Sequence, residues 1–145
     1  MRFSVGVLVG AVALGAALPS ASGAQEFQVV VHPNVRGTWI SRGNLSALFT
    51  GKTDRWGDKV TARPVDQSAK SPVRRAFTVS VLGLSIGEMQ RYWQDRVAAN
   101  RIFPPPIKAS DAEVLGFVAA TAGAVGYVGP DTAIPESVKV ISVVD

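Results

Sequence analysis

Cysteine is absent from the 145 residues, and histidine occurs once. Without cysteine there is no disulfide scaffold, no thiolate site for zinc or an iron–sulfur cluster, and no thiol nucleophile. One histidine rules out a cluster of imidazole ligands and leaves His32 as the sole candidate base of a histidine-dependent triad. Charge is also sparse: 18% of residues are charged, and the formal net charge is +4. That excess is too small to argue for nucleic acid, the basic residues are scattered, and no RNA- or DNA-binding signature occurs. No nucleophile–base pair or paired-acid arrangement has recognisable spacing. The chain is therefore read as a binding protein and not an enzyme, with no cofactor and no metal. What it does have is 47% hydrophobic residues, the proportion of a folded globular protein, in a length that fits one domain.

Much of the apolar content lies at the start. Arg2 gives a short basic beginning, Val5 to Leu18 is an apolar run, and Pro19 to Ala24 are small residues. This is the pattern of a cleavable secretory signal peptide. Cleavage is expected after Ala24 or, alternatively, after Gly23; an uncleaved anchor is the competing reading. The run is shorter than the roughly 20 apolar residues of a membrane span, and no cysteine follows it to carry a lipid. Export without cysteine fits a bacterial periplasm better than a disulfide-rich extracellular setting. The expected organisation is a signal peptide over 1–24 and one domain over 25–145, with no stable membrane insertion after cleavage.

In that domain, Phe27 to His32 is a β-branched run closed by Pro33-Asn34, a strand. Ser41 precedes Leu45, Leu48 and Phe49 at helical spacing, with Gly51 as the stop. Lys59 to Asp66 reads as a second strand, which Pro64 confines to a sheet edge or ends early. Ser71-Pro72 is a hydroxyl cap followed by proline at the first helical position. Ser85-x-x-Glu88 and Ser110-x-x-Glu113 are capping boxes that open two further helices. Pro104 to Pro106 is a stiff connector and the best hinge candidate, Gly123 to Val128 a turn and short buried strand, and Val138 to Val144 the last strand. Strands alternating with helices give a layered α/β domain with a mixed sheet flanked by helices.

The segment richest in chemistry runs from Val65 to Phe77. A strand ends, a polar loop follows, and a helix opens at Ser71. A helix N-terminus offers unpaired N–H groups and a partial positive charge, which suit phosphate, sulfate or carboxylate. Gln67, Ser68 and Ser71 add neutral donors, and Lys70, Arg74 and Arg75 add cationic ones. These six are the candidate ligand-binding residues. The competing reading is that Ser71 merely caps its helix and the cations face solvent.

Residues 41–58 resemble a signature of the phosphate-binding proteins of ABC importers: a Leu, then Ile/Leu-Phe, then Gly-Lys, then a Trp with an acidic residue close behind. Leu45, Leu48-Phe49, Gly51-Lys52, Trp56 and Asp58 stand in those places. The family's next piece, a strand ending in Asp-Gly-Ser-Gly-Thr before a helix containing Phe, is matched by Asp66-Gln67-Ser68, Ser71 and Phe77. Its third, Pro-Gly-Ala-Ile-Gly-Tyr-Val, is matched by Ala122 to Val128. The resemblance implies a short, single-lobe relative of the type II periplasmic binding proteins. It further implies phosphate or a similar oxyanion as ligand, and an ABC permease or a sensor protein as partner. The chain departs from the family in being about half as long, in lacking the first lobe's phosphate loop, and in having neither glycine of the Gly-Ser-Gly-Thr loop, which elsewhere lets backbone approach an anion.

Other candidates have plainer explanations beside their functional ones. His32 ends a strand and is either a ligand contact or a satisfied surface group. Lys52, Asp54, Arg55 and Asp58 form either a binding patch or a solvated loop around an anchored Trp56. Trp39, Trp56 and Trp93 either stack on a ligand or pack in the core. Asp111 and Glu113 suit a helix first turn. Gly123, Gly126 and Gly129 lead into a strand, which is the wrong context for a nucleotide loop. Against the oxyanion reading stands a protein-interaction or sensory accessory module that has lost ligand binding, in which the face a second lobe would meet is solvated, self-associated or covered by another protein; a homodimer would recreate a two-lobe cleft.

Overall fold

Strand β1 (Gln28–Val31) is the centre on which the rest assembles. The structure, a computed structural model, describes residues 26–57 and 59–145; the expected signal peptide and Asp58 lie outside the described residues. After β1 come β2 (Trp39–Ser41), α1 (Arg42–Phe49), β3 (Arg63–Pro64), β4 (Asp66–Gln67) and α2 (Pro72–Phe77), which runs into one π-helical turn over Thr78–Leu82. Then follow α3 (Ile86–Asn100), β5 (Ile107–Lys108), α4 (Asp111–Ala120), β6 (Ala124–Val128) and β7 (Lys139–Val144). The main sheet has the order β2-β7-β1-β6-β3; β1 is antiparallel to both β6 and β7, while β2–β7 and β3–β6 are parallel. β4 and β5 form a separate parallel pair. The fold is the mixed α/β sheet with flanking helices expected from the sequence.

The two faces of the sheet follow from the register. Val29 pairs with Tyr127 and Ile141, and Val31 with Val125. With Ile40 these side chains meet Leu45, Leu48 and Phe49 of α1 and Phe77 of α2 in the larger core. At its middle Phe77 stacks on Tyr127, with ring centroids 4.0 Å apart, and Phe49 tilts against Phe77. The opposite face carries Val30, Ala124 and Val128, covered by Val114 and Val118 of α4. Gly126 lies under that helix because a Cβ there would come within 2.8 Å of both Val114 and Val65. Beyond β1 no described residue covers this second face: Val140 and Val144 of β7 and Trp39 of β2 stay exposed, Trp39 at 63%. Trp39 is thus a surface residue, contrary to the core-packing expectation, because α4 does not reach the edge strand.

The helix starts follow local sequence. The hydroxyls of Ser41, Ser85 and Ser110 accept from the N–H groups of Asn44, Glu88 and Glu113 at 3.1–3.2 Å. Three expectations are corrected. The strand read over Lys59 to Asp66 is broken, since Lys59 turns the chain with positive φ and only Arg63–Pro64 pair with β6 at the sheet edge. β2 and β5 were not expected; each is two or three residues long and exists through pairing with a distant strand, β7 or β4. Ser71 occupies the N-cap position of α2 without making a side-chain cap, because its hydroxyl turns to Gln67 instead.

Candidate functional site

The loop between β4 and α2 sits over a buried polar knot. Asp66 and Gln67, which make up β4, are both buried, and β5 pairs along one side of them. The Tyr127 hydroxyl donates to the Asp66 carboxylate. Arg74 lies with Nε 3.3 Å from the same carboxylate and donates through Nη1 to the Gln67 carbonyl at 2.7 Å. Burial pushes the Asp66 carboxyl above its ordinary value, and the Arg74 charge and the Tyr127 hydroxyl oppose that rise without cancelling it. The Tyr127 hydroxyl is driven up by burial and by the Asp66 charge beside it, so it stays a donor at any accessible pH.

Gln67 extends the knot. Its amide nitrogen donates to Asp111 Oδ1 at 2.6 Å and to the Tyr127 carbonyl at 3.0 Å, and its amide oxygen accepts from the Ser71 hydroxyl at 3.2 Å. Asp111 also accepts from Gly129 N–H at 3.0 Å and the Thr132 hydroxyl at 2.6 Å. Partial burial raises the Asp111 carboxyl, but these three donors outweigh it and hold the group below its ordinary value.

The six candidates therefore divide. Gln67 and Arg74 are brought together but face inward, with internal partners. Ser68, Lys70, Ser71 and Arg75 remain toward solvent; Lys70, Ser71 and Arg75 line one surface groove with Glu26 and Ser80. The Ser68 hydroxyl accepts from Lys70 N–H at 3.3 Å, and its carbonyl from Ser71 N–H at 2.9 Å, so the loop is a tight turn. Neither Lys70 nor Arg75 forms an ion pair among the described residues. Chemically, this groove offers hydroxyls, two cations and the Glu26 carboxylate on one open surface.

The remaining candidates lie elsewhere. His32 Nδ1 is 2.7 Å from Asn34 Oδ1, which in turn accepts from Gly123 N–H, a local knot at a strand end. Trp56 is anchored by Nε1–H donation to the Gly123 carbonyl at 2.9 Å. Lys52 and Asp54 rim a different cleft of about 640 Å³ beside Pro104 to Pro106 and Trp93. Arg55 is exposed, 3.9 Å from Asp54. The described residues hold no group of three His, Asp or Glu side chains placed for a metal ion. No helix of the described residues is long and apolar enough to cross a membrane. Asp111 and Tyr127 belong to the site's foundation although the sequence reading gave Asp111 only a helix-start role. The signal for Tyr127 was present in the Gly-Tyr-Val piece of the resemblance, but nothing there joined it to Asp66, 61 residues away.

No protein-family model matches the chain, and no curated protein matches it. Among solved structures it is similar to PstS from Borrelia burgdorferi, with a TM-score of 0.63 at 17% identity over 81% of this chain and 47% of that one. It is similar to an ABC-type phosphate transport receptor from Vibrio cholerae, with a TM-score of 0.61 at 20% identity over 83% and 48%. A phosphate-bound putative phosphate ABC transporter substrate-binding protein from Clostridium perfringens gives 0.63 at 18% identity over 81% and 44%. At these identities the likeness is one of fold. The chain spans under half the length of the structures it matches, as a single lobe does.

Proposed function

We propose that this chain is a periplasmic solute-binding module, exported on a signal peptide over 1–24 and without enzymatic activity, that holds phosphate or a similar oxyanion at the loop between β4 and α2. The Ser68 hydroxyl and the Lys70 and Arg75 charges are the direct donors, and the Ser71 hydroxyl joins them by turning away from Gln67. Arg74 and Gln67 fix the loop from beneath. The observation that carries this reading is the pair of cations, Lys70 and Arg75, sharing one groove with Ser71 and left without carboxylate partners among the described residues. The likeness in fold to proteins described as phosphate-binding supports it. A single lobe leaves one side of the anion in water, so affinity is modest. The docking partner is an ABC permease or a sensor protein. Calorimetric titration with phosphate tests the reading: heat that saturates at millimolar phosphate and is lost in Lys70→Ala/Arg75→Ala supports it, and absence of heat with the wild type overturns it.

A second reading has its own observation. The uncovered sheet face of Trp39, Val140 and Val144 suits a protein-interaction module in which a second copy of the chain packs there. Sedimentation at micromolar concentration distinguishes the two, since a strict monomer contradicts the homodimer.

A further inference from the structure

The cleft of about 640 Å³ beside Pro104 to Pro106 lies away from the β4–α2 loop: it reaches Thr121, just past the C-terminus of α4, whereas Gln67 meets Asp111 at the start of that helix. Its floor is apolar. Trp93 Cη2 and a methyl of Ile102 lie 3.3 Å and 3.2 Å from where a Cβ on Gly51 would stand, and all three residues line the cleft, so the Trp93 benzo edge faces it. Pro104 to Pro106 form a wall that Pro105 anchors by burial and the Pro106 carbonyl pins by accepting from Asp66 N–H at 2.9 Å. Prolines carry no N–H, so the wall presents ring faces and no backbone donor, and its stiffness leaves little entropy to lose on binding. Phe103, at the start of the wall, is 72% exposed.

The donors come from the other segments. Ala62 packs in the core with α1 and Val65 in the core with α4, so by strand alternation Arg63 points to the α4 side, where Phe117 and Thr121 line the cleft. Ala62 N–H donates to the Asp54 carbonyl at 2.8 Å, which stitches the loop bearing Lys52 to β3. Neither Lys52 nor Arg63 forms an ion pair among the described residues, and Asp54, the carboxylate of the lining, is 3.9 Å from Arg55, outside the cleft. Nor does the end of α1 need the Lys52 charge: the Ser46 and Ala47 carbonyls accept from the N–H groups of Thr50, Lys52 and Thr53, and the Thr50 carbonyl accepts from the Tyr92 hydroxyl. A wall of apolar rings without donors and unmatched positive charge at the rim fit a ligand with a flat apolar body and one anionic end.

We propose that this cleft binds an aromatic carboxylate, with its ring against Phe103 and the proline wall and its carboxylate on Lys52 and Arg63. Calorimetric titration of the whole protein with naphthoate is the test. Heat saturates at millimolar naphthoate or below, and the neutral naphthylmethanol binds at least about tenfold more weakly, the ratio that a hydrogen bond to a charged group carries. Lys52→Gln/Arg63→Gln lowers naphthoate affinity by at least that ratio, and Phe103→Ser by about threefold; all three side chains are exposed, so circular dichroism stays intact. Absent saturation, equal affinity for the alcohol, or undiminished binding in both variants overturns the proposal. Displacement by an equal concentration of phosphate or acetate assigns the cations to anions of any kind, and heat that tracks protein concentration alone assigns the cleft to a second copy; either overturns the aromatic ligand. Lys70→Ala/Arg75→Ala leaves naphthoate binding unchanged, so this site and the oxyanion site stand or fall separately.

Discussion

Replacing Arg74 by methionine isolates the knot beneath the loop. Arg74 is 7% exposed, its guanidinium is 3.3 Å from the Asp66 carboxylate, and it donates to the Gln67 carbonyl. Methionine keeps much of the apolar stem but leaves a buried carboxylate with no cation, supported by the Tyr127 hydroxyl and the Gln67 backbone N–H alone. Removing one member of a buried ion pair costs about 3–5 kcal/mol, a large share of the roughly 5–15 kcal/mol that holds a domain of this size together. The cost depends on pH, and its sign follows from the shift. The Asp66 carboxyl is already raised above its ordinary 3.8 by burial, and losing Arg74 removes the charge that opposes the rise. The folded variant then binds a proton that the unfolded chain has released, so its stability falls as pH rises above 3.8 through the new folded value. Urea unfolding followed by circular dichroism between about pH 4 and pH 8 shows a deficit that is small at the acid end and full at the alkaline end. Asp66→Asn combined with Arg74→Met removes the charge and recovers most of the loss. A deficit below about 1 kcal/mol, or one flat across that range, would refute the reasoning.

Two further expectations concern stability. Gly123 has φ of 78°, and a Cβ there would stand 2.0 Å from the Thr61 carbonyl oxygen, so Gly123→Ala lowers stability by about 2–4 kcal/mol in a thermal melt, and an unchanged melting temperature contradicts the close approach. Asp111→Ala loses the donors of Gln67, Gly129 and Thr132, at about 1–3 kcal/mol near neutral pH. Because the folded carboxyl of Asp111 lies below 3.8, its contribution is full above that value and lost as pH falls through the lowered one. The gap between wild type and Asp111→Ala narrows in acid melts, and a constant gap contradicts the assignment.

How much of this was legible depended on distance along the chain. The caps at Ser41, Ser85 and Ser110 are three-residue patterns, and the structure repeats them because nothing distant competes. Ser71 carries the same signal, yet Gln67 outbids the backbone for its hydroxyl, and only the folded loop brings Gln67 there. β2 and β5 are too short to show alternation and arise from partners 103 and 41 residues away in register, Trp39 with Ser142 and Asp66 with Ile107. Arg74 was readable in principle. It falls on the same helical face as Phe77, Thr78 and Val81, all buried, but a charge on such a face is read as exposed until its carboxylate partner is placed. Asp66 ends a strand in the sequence, and nothing local tells that Tyr127 and Arg74 meet it.

The oxyanion assignment is tested most directly by crystals grown without phosphate or sulfate and then soaked in phosphate. The account predicts anion density within hydrogen-bond reach of Ser68, Ser71, Lys70 and Arg75, absent from Lys70→Ala/Arg75→Ala crystals treated alike. An empty loop at saturating phosphate, or density that survives in that variant, would contradict it.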